Sequence, residues 1–162
     1  MTGLTKNSVF NFNDDELNYI SDETKKLIIK AKCRLYKIRT INDERGSISS
    51  FNFGDFLPEN PKRSYYIYDV PNNTTRGDHA HKKCAQFFIC LKGSVLLSLD
   101  TGNIKFEITL RDPKVGIYVP PMIWNKLSNF SNDCLLMIWA SDHYLDEDYI
   151  RIYDEFLNTL KK

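Results

Sequence analysis

From about residue 33 to residue 140 the chain is a succession of short runs rich in β-branched and aromatic residues, each cut off by turn chemistry. Breaks fall at Arg45-Gly46, residues 58–61, Pro71-Asn72-Asn73, Lys92-Gly93, residues 100–102, Asp112-Pro113 and residues 129–132. Gly, Pro, Asn and Asp supply the tight or left-handed backbone that a strand lacks. Many short strands at this spacing bury their apolar faces as a sandwich or barrel. Strands are expected near 33–39, 47–53, 64–70, 77–81, 85–91, 94–99, 104–110, 116–119, 123–128 and 134–140.

The flanks read differently. Residues 1–32 form a polar arm with one helix candidate: Ser21 can cap Asp22-Glu23-Thr24, and Leu27, Ile28 and Ala31 then share a face. After Ser141 the spacing turns helical, with Tyr149, Ile152, Tyr153, Phe156 and Leu160 three or four residues apart. Asp146, Glu147 and Asp148 at the start of that stretch and Lys161 and Lys162 at its end would suit the helix dipole. A chain of 162 residues fits one core. The expected organisation is therefore an arm over 1–32, not a separate domain, and one domain over 33–162 closed by a docked helix.

A net charge of +1 gives no long-range field to gather nucleic acid or coat a membrane. No apolar run approaches the roughly 20 residues that span a bilayer, and the first twelve residues are polar and Asn-rich, so a cytoplasmic protein is expected. Cys33, Cys84, Cys90 and Cys134 show no C-x-x-C pair and read as small buried hydrophobes rather than disulfide partners. Any partner must be chosen by a local site.

Only three histidines occur, and two lie in Arg76-Gly77-Asp78-His79-Ala80-His81. Residues two apart on a strand share a face, so both imidazoles point together, either into a barrel or out to water. The buried-looking Phe87-Phe88-Ile89-Cys90-Leu91 that follows Gln86 favours inward. Imidazole can both accept and donate a proton near neutrality, so two on one wall can serve neighbouring atoms of one substrate.

His79-x-His81, Gln86 and Gly93 together resemble the first cupin motif, and residues 116–124, Gly116-Ile117-Tyr118-Val119-Pro120-Pro121-Met122-Ile123-Trp124, resemble the second. The resemblance implies a mainly β fold, a cupin-type antiparallel β-barrel or jelly roll. Gln86 stands where that family has an acidic metal ligand, and no histidine follows Pro120-Pro121. Two neutral imidazoles make a poor site for zinc or iron, so no metal is expected.

Over nearly the whole of residues 34–157 the chain is similar to the nucleotide-sugar 3,4-ketoisomerases, cupins acting on thymidine-diphosphate-linked 4-keto-6-deoxyglucose; the arm before Cys33 departs from that pattern. The similarity rests on Asp43-Glu44-Arg45-Gly46, Lys62-Arg63-Ser64-Tyr65-Tyr66-Ile67, Arg76 to Lys83, Gln86, Leu91-Lys92-Gly93-Ser94, Val115 to Pro121, Trp124, Ala140-Ser141 and Asp148 to Asp154. It implies a cofactor-free shift of a proton from sugar C3 to C4 through an enediol. His79 would be the principal base and acid, His81 would shuttle or orient a proton, and Tyr65 would bond the sugar or steady a histidine.

The resemblance further implies that Arg45 lines the pocket, that Arg63 and Arg76 are candidates for the diphosphate, and that Gln86, Trp124 and Asn125 flank the substrate. Asn125 stands where relatives carry His or Arg; with Arg45 it would set the face from which C4 is protonated, and Arg45 points toward the galacto product. A homodimer is implied as well, acting between a 4,6-dehydratase and an aminotransferase on the way to a 3-amino-3,6-dideoxyhexose of a surface polysaccharide. Two other readings stay open at this point: a metal-dependent cupin enzyme and a non-catalytic sugar-binding cupin.

Overall fold

The computed structural model describes residues 17–52 and 60–161. The expected turn at 58–61 lies partly outside them, as does Lys162. The strands are β1 (Arg34–Lys37), β2 (Arg39–Asp43), β3 (Gly46–Ser50), β4 (Arg63–Tyr68), β5 (Arg76–His81), β6 (Gln86–Lys92), β7 (Val95–Asp100), β8 (Lys105–Leu110), β9 (Val115–Val119), β10 (Trp124–Ser128), β11 (Leu135–Ala140) and β12 (Tyr149–Ile150). Helix α1 (Asp22–Lys30) precedes them and α2 (Tyr153–Leu160) follows. Two five-stranded antiparallel sheets are ordered β1-β9-β6-β11-β4 and β12-β5-β10-β7-β8, with β2-β3 as a separate hairpin. This is the mainly β, jelly-roll type of architecture that the motifs imply.

Alternation along the strands builds the core. On β8, Phe106, Ile108 and Leu110 point in while Lys105, Glu107 and Thr109 point out. They meet Leu97 and Leu99 of β7 and, from the other sheet, Phe88, Cys90, Ile117, Leu136 and Ile138. Each such side chain contributes roughly 1.5–3 kcal/mol when fully buried. β6 is buried on both faces, because Phe87 and Ile89 pack outward against Tyr36 and Tyr118. That second layer needs Gly116: a Cβ there would lie 2.0 Å from Phe87 Cζ. All four cysteines are buried and free.

Helix α1 forms as expected, with the Ser21 side chain accepting from Thr24 N. Ile28 and Ala31, with Leu17 and Ile20, join the core between the sheets. The C-terminal stretch departs from expectation. Residues 146–148 form a single 3-10 turn, Tyr149 and Ile150 pair with His81 and Ala80 of β5, and the helix starts only at Tyr153. Phe156 anchors α2 against Trp124, Ala80 and Ile150. The anchor holds β12 against β5, beside the histidines. Near the other end, the run expected at 33–39 bends at Ile38 into the exposed β2-β3 hairpin, whose residues alternate without a buried face. Among the described residues, no helix is long and apolar enough to cross a membrane.

Candidate active site

The histidine strand is not regular. β5 pairs with β10 so that Asn125 lies opposite His79 but Lys126 lies opposite Gly77, leaving Asp78 as a bulge. Gly77 (φ 76°) and Asp78 (φ 61°) both take left-handed backbone. A Cβ on Gly77 would sit 2.9 Å from Asn125 Oδ1, so the close approach of the two strands requires glycine. Asp78 Oδ1 accepts from Trp124 Nε1 at 3.1 Å, which fixes the bulge from the side of α2. Bulges re-aim the side chains that follow them, and here His79 and His81 both turn inward.

Their Nε2 atoms are 3.3 Å apart. His81 Nδ1 lies 2.8 Å from Asp148 Oδ2. A carboxylate accepts, so Nδ1 carries the proton and His81 Nε2 presents its lone pair toward His79. Asp148 is itself held by the backbone N–H of Lys83 at 2.8 Å and of Cys84 at 3.4 Å. Burial pushes the pKa of His81 down to about 4, outweighing the upward pull of Asp148. Burial also lowers that of His79, against an upward pull from a Gly77 backbone hydrogen bond. Both rings are therefore neutral bases at neutral pH. His81, Cys84 and Asp148 bring three donor atoms within 4.8 Å of one another. The carboxylate is engaged by His81 and by two backbone N–H groups, so the cluster reads as a hydrogen-bonded anchor.

Tyr149 covers both imidazoles, its ring centroid 4.8 Å from that of His79 and 4.3 Å from that of His81. In front of His79 lies a cavity of about 510 Å³, whose walls include Arg63, Tyr65, Arg76, Asn125 and Tyr149. Such a volume is typical of small-ligand sites. The Tyr65 hydroxyl accepts from Gln86 Nε2 at 2.7 Å. Burial pushes the Tyr65 phenol upward, so it keeps its proton and can donate it in a hydrogen bond. Arg63 is held 5.1 Å over the Tyr65 ring, and its Nε is buried with no hydrogen-bond partner among the described residues. Burial alone would lower its pKa, but contact with Tyr149 holds the net value above the ordinary one. A fixed cation with an unspent donor is suited to an anionic ligand.

The sequence-derived candidates thus divide. His79, Tyr65, Arg63, Arg76 and Asn125 line one cavity. His81 is buried behind His79, and Gln86 is buried behind Tyr65. Asn125 also donates from Nδ2 to the His79 carbonyl at 3.1 Å. Two placements differ from expectation. Trp124 is a packing residue and brace of the bulge, because its ring is enclosed by Tyr153 and Phe156 and its N–H is spent on Asp78. Arg45 sits at the tip of the β2-β3 hairpin, 82% exposed and paired with Asp43 at 2.6 Å, and does not reach its own chain's cavity. Asp148 and Tyr149 were not among the candidates, since helical spacing from residue 149 concealed a strand residue and its neighbour.

Comparison with known proteins gives the family. Residues 31–161 match the profile of the FdtA family, described as WxcM-like, C-terminal. The chain belongs to the FdtA family. A TDP-4-oxo-6-deoxy-alpha-D-glucose-3,4-oxoisomerase of Aneurinibacillus thermoaerophilus is 44% identical over 129 residues, 80% of this chain and 93% of that one. QdtA, a sugar 3,4-ketoisomerase from Thermoanaerobacterium thermosaccharolyticum solved with TDP, is 38% identical with a TM-score of 0.77, covering 80% and 94% of the two chains. Its histidine-to-asparagine variant is also known in complex with TDP-4-keto-6-deoxyglucose. A 3,4-ketoisomerase from Helicobacter canadensis is 35% identical with a TM-score of 0.77, covering 80% and 98%. The family match begins at residue 31, so α1 precedes the part shared with the FdtA family.

Proposed function

We propose that this chain is a sugar-nucleotide 3,4-ketoisomerase converting TDP-4-keto-6-deoxyglucose to a TDP-3-keto-6-deoxyhexose. The observation that carries this reading is the pair of neutral imidazoles, His81 buried and His79 half-buried, at the wall of a cavity with a buried, unspent arginine donor. The C4 ketone acidifies the C3 hydrogen. His79 takes that proton, the electron pair of the C–H bond becomes the C3–C4 double bond of an enediol, and the former ketone oxygen is protonated. Return of a proton to C4 and loss of one from the C3 hydroxyl leave the ketone at C3. The two carbons exchange oxidation levels, so the electrons balance within the sugar. Tyr65 donates to the oxygen that gains charge, and Arg63 and Arg76 take the diphosphate.

The same reading places the protein in the cytoplasm, as one domain over 33–162 with an arm over 1–32, supplying a 3-keto sugar to an aminotransferase for surface polysaccharide. It also makes the protein a homodimer. Ile41 and Ile48 face each other on the exposed hairpin, and Tyr66 and Tyr68 are exposed on the edge strand β4. A second copy would cover these groups, and the hairpin tip would then be free to bring Arg45 to the other copy's cavity. Incubating the protein with TDP-4-keto-6-deoxyglucose and following the sugar by NMR tests the reading. The C3 ketone should appear, and an unchanged substrate would refute it.

A further inference from the structure

The two histidines head a row of groups that crosses the wall of the site and becomes a continuous hydrogen-bonded chain once His79 Nε2 carries a proton. On one side His79 faces the substrate cavity. His79 Nε2 is 3.3 Å from His81 Nε2, and His81 Nδ1 is 2.8 Å from Asp148 Oδ2. On the other side Asp148 lines a second cavity of about 330 Å³, walled by Lys82, Lys83, Asp142, His143, Leu145 and Glu147. His81 has no opening of its own, with its side chain 3% exposed against 11% for Asp148. Tyr149 covers both rings, and a bound sugar would close the front. Among the described residues, a proton caught on His79 during the life of the enediol then has one connected path to water, and it runs through the back.

We propose that the proton lifted from the sugar exchanges with solvent by this rear route, so that Asp148 is a proton-exchange and positioning residue and the rear cavity is its water port. The inference rests on the isomerase reading above. The C3–H bond breaks onto His79 Nε2. That proton passes to His81 Nε2 while the Nδ1 proton of His81 passes to Asp148 and on to water. A proton entering by the reverse path reaches His79 and forms the new C4–H bond. One proton leaves and one enters, with no change of electrons. Asp148 also fixes the tautomer of His81, because its carboxylate is pinned by the Lys83 and Cys84 backbone N–H groups.

The test uses TDP-4-keto-6-deoxyglucose carrying deuterium at C3, converted in ordinary water, with the label at product C4 read by NMR. The wild-type protein should lose the label to solvent. Asp148→Asn keeps an oxygen for the His81 Nδ1–H but cannot relay a proton; it should retain the label at C4 about tenfold more often, with turnover reduced less than label loss. Asp148→Glu should restore the loss. Should Asp148→Asn fail to fold, His81→Gln breaks the same path one residue earlier and must also raise retention. Complete label retention by an active wild-type protein, or undiminished loss in both variants, would overturn the rear route. A wild-type protein that binds TDP but forms no 3-keto sugar would instead overturn the isomerase reading, and the route with it.

Discussion

Packing a half-buried and a buried imidazole side by side makes each harder to charge, since the Gly77 backbone and Asp78 offset only part of the hydration that His79 loses. In the proposed reaction the base is the neutral His79 ring, so the acid limb of kcat/KM should lie below the ordinary imidazole pKa of about 6.5. A pH profile with that limb at or above this value would count against a desolvated base. Stability carries the same sign. His81 stays neutral in the fold down to about pH 4, whereas in the unfolded chain it charges below about 6.5. Its contribution is thus present above that upper value and is lost as pH falls through the window between the two. Denaturant melts across this range should show the loss, and His81→Gln should flatten it. Tyr65→Phe should leave Gln86 Nε2 buried without its partner, costing roughly 1–3 kcal/mol of stability as well as the donor that the proposed reaction gives the sugar.

At the scale of elements, the site depends on a tail that is remote in sequence. Phe156 holds α2 on Trp124 and Ala80, and α2 keeps β12 in register with His81. Phe156→Ala should cost roughly 3–5 kcal/mol and lower kcat, because Asp148 and Tyr149 lose their fixed positions. Ile28→Ala in α1 should cost roughly 2–5 kcal/mol, with turnover at a permissive temperature unchanged. Comparing chemical melts and turnover for the two variants separates these roles. The strands around the core were legible because β8 and β11 alternate and the turns between them carry Gly, Pro or Asn. β2 and β3 were only partly legible, since a hairpin exposed on both faces leaves no burial pattern to read. The pairing of His79 with His81 followed from their spacing alone. Asp148 did not, because 67 residues separate it from His81 and only tertiary packing joins them. For the same reason no local pattern could distinguish Trp124 as a brace from Trp124 as a platform.

For the whole molecule, the exposed hairpin and the bare edge of β4 give the chain an unfinished side. If the proposed homodimer forms through this side, Ile48→Glu should shift the sedimentation coefficient toward that of a monomer, and an unchanged value would count against a dimer joined at the hairpin. The proton transfers to and from the sugar, in contrast, are assigned to the His79 face of the front cavity, and the central claim is that His79 moves the proton while other groups hold the nucleotide. The most direct measurement is the turnover of TDP-4-keto-6-deoxyglucose by His79→Asn beside its affinity for TDP. The account predicts turnover lower by about 10²–10⁴-fold, with TDP affinity within a few-fold of wild type. Wild-type turnover in that variant would contradict it.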